Sequence, residues 1–559
     1  MKRFELIANK VIVNFVMALF GIIILYLAVL SIFSTSYLST SYTNGAEYTY
    51  YVPDTPLLHL AFFAFVIVAA AALFHYGKRR NISHITDRIF RYMPYVWMGI
   101  TLLWVISTQV RPGADQRSIM DAATHMRNGD FSDFTPQGYM GMNPHQIGLT
   151  LFVYLTSFIF GSDNYIAFQF MNVAALFIIY HFMKKITVLL YEKDNIANVT
   201  YFAMICFLPL SFYVTFVYGT LFGLMLSVLG MYFEIQYIKN RSPKDILLGA
   251  LCIAAAPIFK SNYLIMMIAF ILILLSDVLI HTQWASFLGV VITVCLYLMG
   301  NLMVDSYVEH ITGLPVQKGI PSSSYIAMGL QDSQYLAEGW YTGYVRSIYK
   351  YADYDYDAAD KMSRVNISES IDNFRQNSDY TLTFFTKKIA SQWNNPTFQC
   401  YWIYLVRSSM ITPADTINNI YNGTASRILA LFLNLFQSLM LLGVITYIIY
   451  YRREHSLISI LPAVIFIGGF IFHLIWEAKA QYTLPYFFLI IPYGVAGMKR
   501  MAQDIENALR TRNFRCPAFY IFCTMCAVVL VIALINTDVI NTMFKLSYDA
   551  GLYHSEMWN

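Results

Sequence analysis

The hexapeptide "RPGADQ", residues 111–116, sets a carboxylate, Asp115, just past the apolar run 92–110. A carboxylate there can end a helix beside Pro112 and Gly113, or it can take a proton from a hydroxyl held at a membrane surface. The neighbouring residues leave both readings open. Other ionisable groups border apolar runs in the same way: Arg111, Asp121, His125, Asp130 and His145, then Lys260 in "APIFKSN". The last group is "WEAKAQY", with Glu477, Lys479, Gln481 and Tyr482. Charges beside apolar spans are costly, which makes them candidates for chemistry. A carboxylate can serve as general base, and cations can hold a phosphate and the charge it gains on leaving. Asp115 is the candidate base; Lys260, Lys479 and Arg111 are the candidate phosphate ligands.

Each group also has a plainer reading. Arg111 can be an interfacial anchor whose stem lies along lipid. Lys260 can pair with a helix-end carbonyl, and Glu477 and Lys479 can form an exposed turn. His125 and His145 can cap or pack, since nothing near them has zinc-site spacing. Trp393 in "QWNNPTFQ" suits an aromatic belt as well as a sugar platform. Asp353, Asp355 and Asp357 can meet a divalent ion or simply solvate a loop. No metal centre and no cofactor are expected.

The elements that must position these groups follow from composition. Of 559 residues, 57% are hydrophobic and 13% charged, too few charges to cover a soluble surface. The chain reads as an all-α polytopic membrane protein. Its net charge of +4 does not imply nucleic acid. Cysteines such as Cys206, Cys252, Cys523 and Cys526 fall in apolar runs, so no disulfide framework is expected. No cleavable leader pattern is read in "MKRFELIANK", and the run 11–33 is taken as the first span.

Further spans are expected at 57–75, 92–110, 164–183, 197–217, 219–238, 246–259, 262–281, 286–304, 428–450, 457–475, 482–498 and 517–536. The loop 34–56 has no Lys or Arg, whereas Lys78–Arg91, Lys184/Lys185, Lys239–Lys244, Arg452/Arg453 and Lys499/Arg500 are basic. The positive-inside rule then puts the N-terminus in the cytoplasm, the C-terminus outside, and Asp115 on the extracytoplasmic side. The run 146–161 would reach only about 24 Å as a helix, so it is expected to lie along the outer face. Three parts result: an N-terminal transmembrane module, 1–304, with the outer loop 111–163; an aromatic-rich extracytoplasmic region, 305–427, holding Trp340, Tyr341, Trp393 and Trp402; and a C-terminal module, 428–559.

The order of motifs resembles a known superfamily. An aspartate after an early span, "NGDFSDF", "NPHQIGLTLFVYLTSFIFG" and a span with a basic end are similar to the GT-C polyprenyl-phosphate-sugar-dependent glycosyltransferases. That group includes the protein O-mannosyltransferases and aminoarabinose transferases. "GALCIAAAPIFKSNYLIMM", "IPSSSYIAMGLQ", "EGWYTGY", "QWNNPTFQ" and "HLIWEAKAQYTLPYF" look like an uncharacterised Gram-positive branch. The resemblance covers roughly Asp115 to Pro485. It implies that Asp115 is the base of an inverting displacement and that lysines near the outer face hold a lipid phosphate such as undecaprenyl phosphate. The acceptor would be an extracytoplasmic glycan, lipid or protein at a bacterial plasma membrane.

The sequence departs from the family in three places. The nearest second acid is Asp121, about a turn and a half along a helix. Gln481–Tyr482 stand where an Arg-Tyr pair is common. "VYGTLFG" offers only Thr220 where an acid is often found, which argues against metal assistance. Two other classes stay open. A lipid-linked oligosaccharide polymerase or ligase would lean on outer-loop arginines such as Arg346, Arg364, Arg375 and Arg407. A transporter or flippase would need polar groups at mid-bilayer, and the spans have few.

Overall fold

The computed structural model describes residues 2–40, 47–80, 83–192, 194–333, 336–401, 415–513 and 515–535. Trp402 and Arg407 lie outside the described residues. The long apolar runs fold as helices because only intrasegment hydrogen bonding satisfies a backbone surrounded by hydrocarbon. In chain order the helices begin with α1 (Lys2–Phe33), α2 (Pro56–Arg80) and α3 (Ser83–Thr108). Next come α4 (Asp115–Arg127), α5 (Tyr139–Met142), α6 (Ile147–Phe160), α7 (Tyr165–Tyr191), α8 (Asp194–Cys206) and α9 (Leu208–Phe212). The middle of the chain forms α10 (Thr220–Asn240), α11 (Pro243–Phe259), α12 (Leu264–His281) and α13 (Trp284–Thr312). Shorter polar helices follow: α14 (Ser322–Gly329), α15 (Tyr344–Tyr351), α16 (Tyr356–Gln376), α17 (Ser378–Trp393) and α18 (Asp415–Asn422). The last four are α19 (Thr424–Tyr450), α20 (Leu461–Ile475), α21 (Leu484–Thr511) and α22 (Pro517–Ile535).

Among the described residues, nine helices are long and apolar enough to cross a membrane, or ten if α8 and the following segment, bent by 62°, form one span. The expected runs 246–259, 457–475 and 482–498 are helical as α11, α20 and α21, but they fall outside that set. The all-α expectation needs one amendment. The loop 34–56 holds an antiparallel hairpin, β1 (Ser34–Thr40) with β2 (Glu47–Pro53), in the register Ser34↔Pro53 to Thr40↔Glu47.

The first and last parts of the chain share one apolar core. Helix α1 packs against α19 and α20, and α2 against α21. Phe20 of α1 meets Phe466 at 5.5 Å and Tyr493 at 5.9 Å, both edge-on. The seven cysteines are free, and Cys295 and Cys523 are exposed on their helices.

Polar side chains inside the bundle have a definable job near residues 213–217, where the chain leaves helical geometry. Gln169 of α7 donates to the carbonyls of Val110 (2.7 Å) and Thr215 (3.0 Å). Asn172 donates to those of Val214 (3.1 Å) and Phe216 (2.9 Å). Irregular backbone at membrane depth persists only where its polar groups are met in this way.

Candidate functional site

Asp115 is the first residue of α4, where a carboxylate is favoured by the helix dipole. Ala114 before it takes a left-handed φ of 48°, which turns the chain sharply out of the 109–113 segment. Gln116, almost wholly buried, accepts a 2.8 Å hydrogen bond from the Val217 backbone N–H, fixing α4 to the irregular segment. Ile119, Met120, Ala123 and Met126 are buried on one side of α4, which packs against α6. The Asp115 carboxylate, at the N-terminal end of α4, is left about half exposed on an open side.

That side borders a cavity of about 580 Å³ walled by α4, the 139–146 turns, the 216–218 segment, the 336–346 stretch and the 477–482 turn. Asp115, His145, Glu477, Lys479, Gln481 and Tyr482 all line it, as do Glu47, Tyr139, Tyr218, Tyr325, Tyr341 and Arg346. The Arg346 guanidinium stands 3.7 Å from Asp115 and 6.0 Å from the centre of the Tyr139 ring. Tyr325 stacks on Trp476 at 5.2 Å and lies edge-on to His145 at 6.5 Å.

Lys479 is bound to Glu47 of the hairpin at 3.0 Å, and the Trp340 indole N–H donates to the same carboxylate oxygen at 2.7 Å. Burial disfavours the Lys479 ammonium, but Glu47, Glu477 and Asp115 outweigh it and hold its pKa above the usual lysine value. Glu477 is buried, and burial pushes its pKa up to about 7 despite Lys479 and a 3.4 Å hydrogen bond from the Tyr482 hydroxyl.

Lys260 sits one layer behind the cavity wall. Its Nζ donates to Thr220 Oγ1 at 3.0 Å and lies 5.0 Å and 5.5 Å from the ring centres of Tyr218 and Tyr482. Burial brings its pKa down to about 7, although Asp115 and Glu477 pull the other way. Gly219 permits this approach, since a Cβ there would fall 1.9 Å from the Phe259 carbonyl oxygen. Lys388 of α17 is a second buried lysine, donating to the Gly329 carbonyl; burial brings its pKa to about 7.

The remaining expected site residues lie elsewhere. Arg111 is exposed ahead of α4 and is not among the side chains lining the cavity. Asp121 is held by Arg117 at 2.6 Å, outside the cavity. Trp393 is core, with its ring 5.0 Å from Phe466, 5.5 Å from Phe470 and 5.8 Å from Tyr486. Of the three aspartates at 353–357, Asp355 caps α16 through the Ala358 N–H at 2.7 Å. Among the described residues no cluster of three metal-ligating side chains occurs.

Sequence reasoning passed over Glu47, Trp340 as an anchor, and the tyrosines at 139, 218 and 325; Tyr341 was legible only as one of the outer-region aromatics. A signal for Glu47 was present: it and Asp54 are the two acids of a loop without Lys or Arg. Arg346 was legible only as an outer-loop arginine.

Three carboxylates, two cations and several phenol faces thus meet in one half-open cavity at an end of a helical membrane bundle. Comparison with protein-family models, curated proteins and solved structures finds no match. Fold and cavity together define a multi-pass helical membrane protein with a polar cavity at one end.

Proposed function

We propose that the chain is an inverting glycosyltransferase that moves one sugar from a polyprenyl-phosphate carrier to an extracytoplasmic acceptor. The observation that supports it best is the placement of Asp115 across one cavity from Lys479, with Arg346 beside the carboxylate. In this reading the acceptor hydroxyl oxygen attacks the anomeric carbon while Asp115 takes its proton. The bond from that carbon to the phosphate oxygen breaks, and its electron pair leaves with the polyprenyl phosphate. Lys479 and Arg346 stabilise the charge that builds there, and Lys260 adds its field from behind Tyr218 and Tyr482. The tyrosine faces pack against the sugars. Attack opposite the departing phosphate inverts the anomeric centre and needs no covalent enzyme intermediate.

The distribution of basic residues supports thirteen crossings, a cytoplasmic N-terminus, and a cavity open to the outside of a bacterial plasma membrane. The helix α6 would then lie along the outer surface. Arg346 in the cavity is the feature that favours the second reading, a lipid-linked oligosaccharide polymerase or ligase.

The test is sugar transfer by purified protein in nanodiscs across a panel of polyprenyl-phosphate sugars, reading release of the lipid phosphate. Wild type should release it from a particular donor, and Asp115→Asn should be slower by at least about a hundredfold. Equal rates would remove Asp115 as base. No release from any single-sugar donor by folded protein would discard the donor class in favour of the polymerase reading or a transporter.

A further inference from the structure

We infer that Glu47, carried on the hairpin between α1 and α2, is a positioning residue of the cavity. Its carboxylate holds the Lys479 ammonium at the space that receives the lipid phosphate and its sugar, and pins the Trp340 indole behind that space. The inference rests on the reading of Lys479 as a phosphate ligand.

The geometry is specific. A single carboxylate oxygen, Oε2, accepts from both Lys479 Nζ (3.0 Å) and Trp340 Nε1 (2.7 Å). Glu47 and Lys479 both line the cavity, and Trp340 is buried behind it. The two segments it joins are themselves tied, since the Ala478 N–H donates to the Gly339 carbonyl at 2.7 Å beside a parallel bridge between Trp340 and Ala478. One carboxylate therefore fixes a lysine and the stretch that delivers Tyr341 and Arg346.

The hairpin is a firm support for such a role. Ser36 Oγ donates to the Ala390 carbonyl at 2.8 Å and the Tyr51 hydroxyl to that of Lys387 at 3.0 Å. The Ser36 N–H reaches the Asn394 carbonyl at 3.0 Å. A carboxylate mounted on anchored backbone holds its partners in one geometry better than one on a free loop. The Lys479 ammonium also lies 5.4 Å from the centre of the Tyr341 ring, on the cavity side. Glu477 is a weaker partner than Glu47 below pH about 7, where burial favours its neutral form.

Glu47→Gln keeps the shape and removes the charge. Two readouts apply: donor kinetics, and labelling of Lys479 by a small amine reagent followed by mass spectrometry, with exposed Lys318 as reference. In Glu47→Gln, Lys479 labelling at about pH 9 should rise about tenfold as the neutral amine becomes accessible. The KM for the polyprenyl-phosphate sugar should rise about tenfold with kcat within about threefold, and Glu47→Asp should recover part of both. Unchanged Lys479 labelling in folded Glu47→Gln overturns the inference, as does unchanged donor KM in an active variant. If Glu47→Gln fails to fold, Glu47→Asp carries the test: its donor KM still rises, and an unchanged KM overturns the inference. Shifted labelling in a protein that uses no polyprenyl-phosphate donor keeps the hold of Glu47 on Lys479 and removes the glycosyltransferase reading instead.

Discussion

The Asp115 carboxylate and the Arg346 guanidinium face each other across 3.7 Å of the cavity, both about half exposed. They come from α4 and α15, and at that distance they attract without a short hydrogen bond. An exposed pair of this kind contributes little to stability. In the proposed reaction Arg346 would move from the carboxylate to a phosphate oxygen of the donor, leaving Asp115 able to accept a proton.

Arg346→Ala is expected to raise donor KM by about tenfold while leaving the melting temperature nearly unchanged. Arg346→Lys should recover only part of the loss, because a lysine lacks the planar fork that meets two phosphate oxygens. Steady-state kinetics at two ionic strengths checks this. An unaltered KM in Arg346→Ala would leave the guanidinium a bystander.

Lys260 and Glu477 make opposite predictions for stability against pH. The pKa of Lys260 is lowered from its ordinary 10.5 to about 7, so the unfolded chain binds more protons between those values. Its destabilising effect is full below about 7 and relieved as pH rises toward 10.5. Glu477 is raised from 4.5 to about 7, so its cost is absent at acid pH and grows across that window. Lys260→Met should therefore stabilise most at acid pH and least at alkaline pH, and Glu477→Gln the reverse. Thermal melts of the three proteins from acid to alkaline pH give the slopes, and parallel curves would contradict both assignments.

Gly219→Ala tests the packing that brings Lys260 to Thr220. The added methyl would meet the Phe259 carbonyl, a backbone atom that cannot swing aside, so a loss of about 1–3 kcal/mol is expected. Chemical or thermal unfolding in detergent measures it. A variant as stable as wild type would mean that the 218–220 segment does not press on that carbonyl.

What was legible in the sequence had a local signature. A charge wedged between two apolar runs marks a helix end at one face, and Asp115, Lys260, Glu477 and Lys479 carry that mark; the structure gathers all four at or just behind one cavity. What failed needed knowledge of which side of an element faces inward. Asp121 lies on α4 like Asp115, yet six residues turn it away, toward Arg117. Trp393 follows a polar stretch, but the end of α17 inserts it among Phe466, Phe470 and Tyr486. Glu47 was missed because "EYTYYVP" is too short to announce a strand above its aromatic content, and its partners lie hundreds of residues away. The expected spans became helices, but apolarity alone did not reveal that the chain bends at 207 and leaves helical form at 216–219.

The ion pair between Glu47 and Lys479 also fixes an order of events during synthesis. Glu47 emerges and leaves the ribosome with the second helix, while its partner is translated 432 residues later. Until then the hairpin holds a carboxylate with no lysine to meet it, and the cavity lacks one wall. A domain that folds from its N-terminus onward normally closes local contacts first. Here the chain must keep its first strand pair in waiting, and the cavity is completed only when α20 and α21 have entered the bundle.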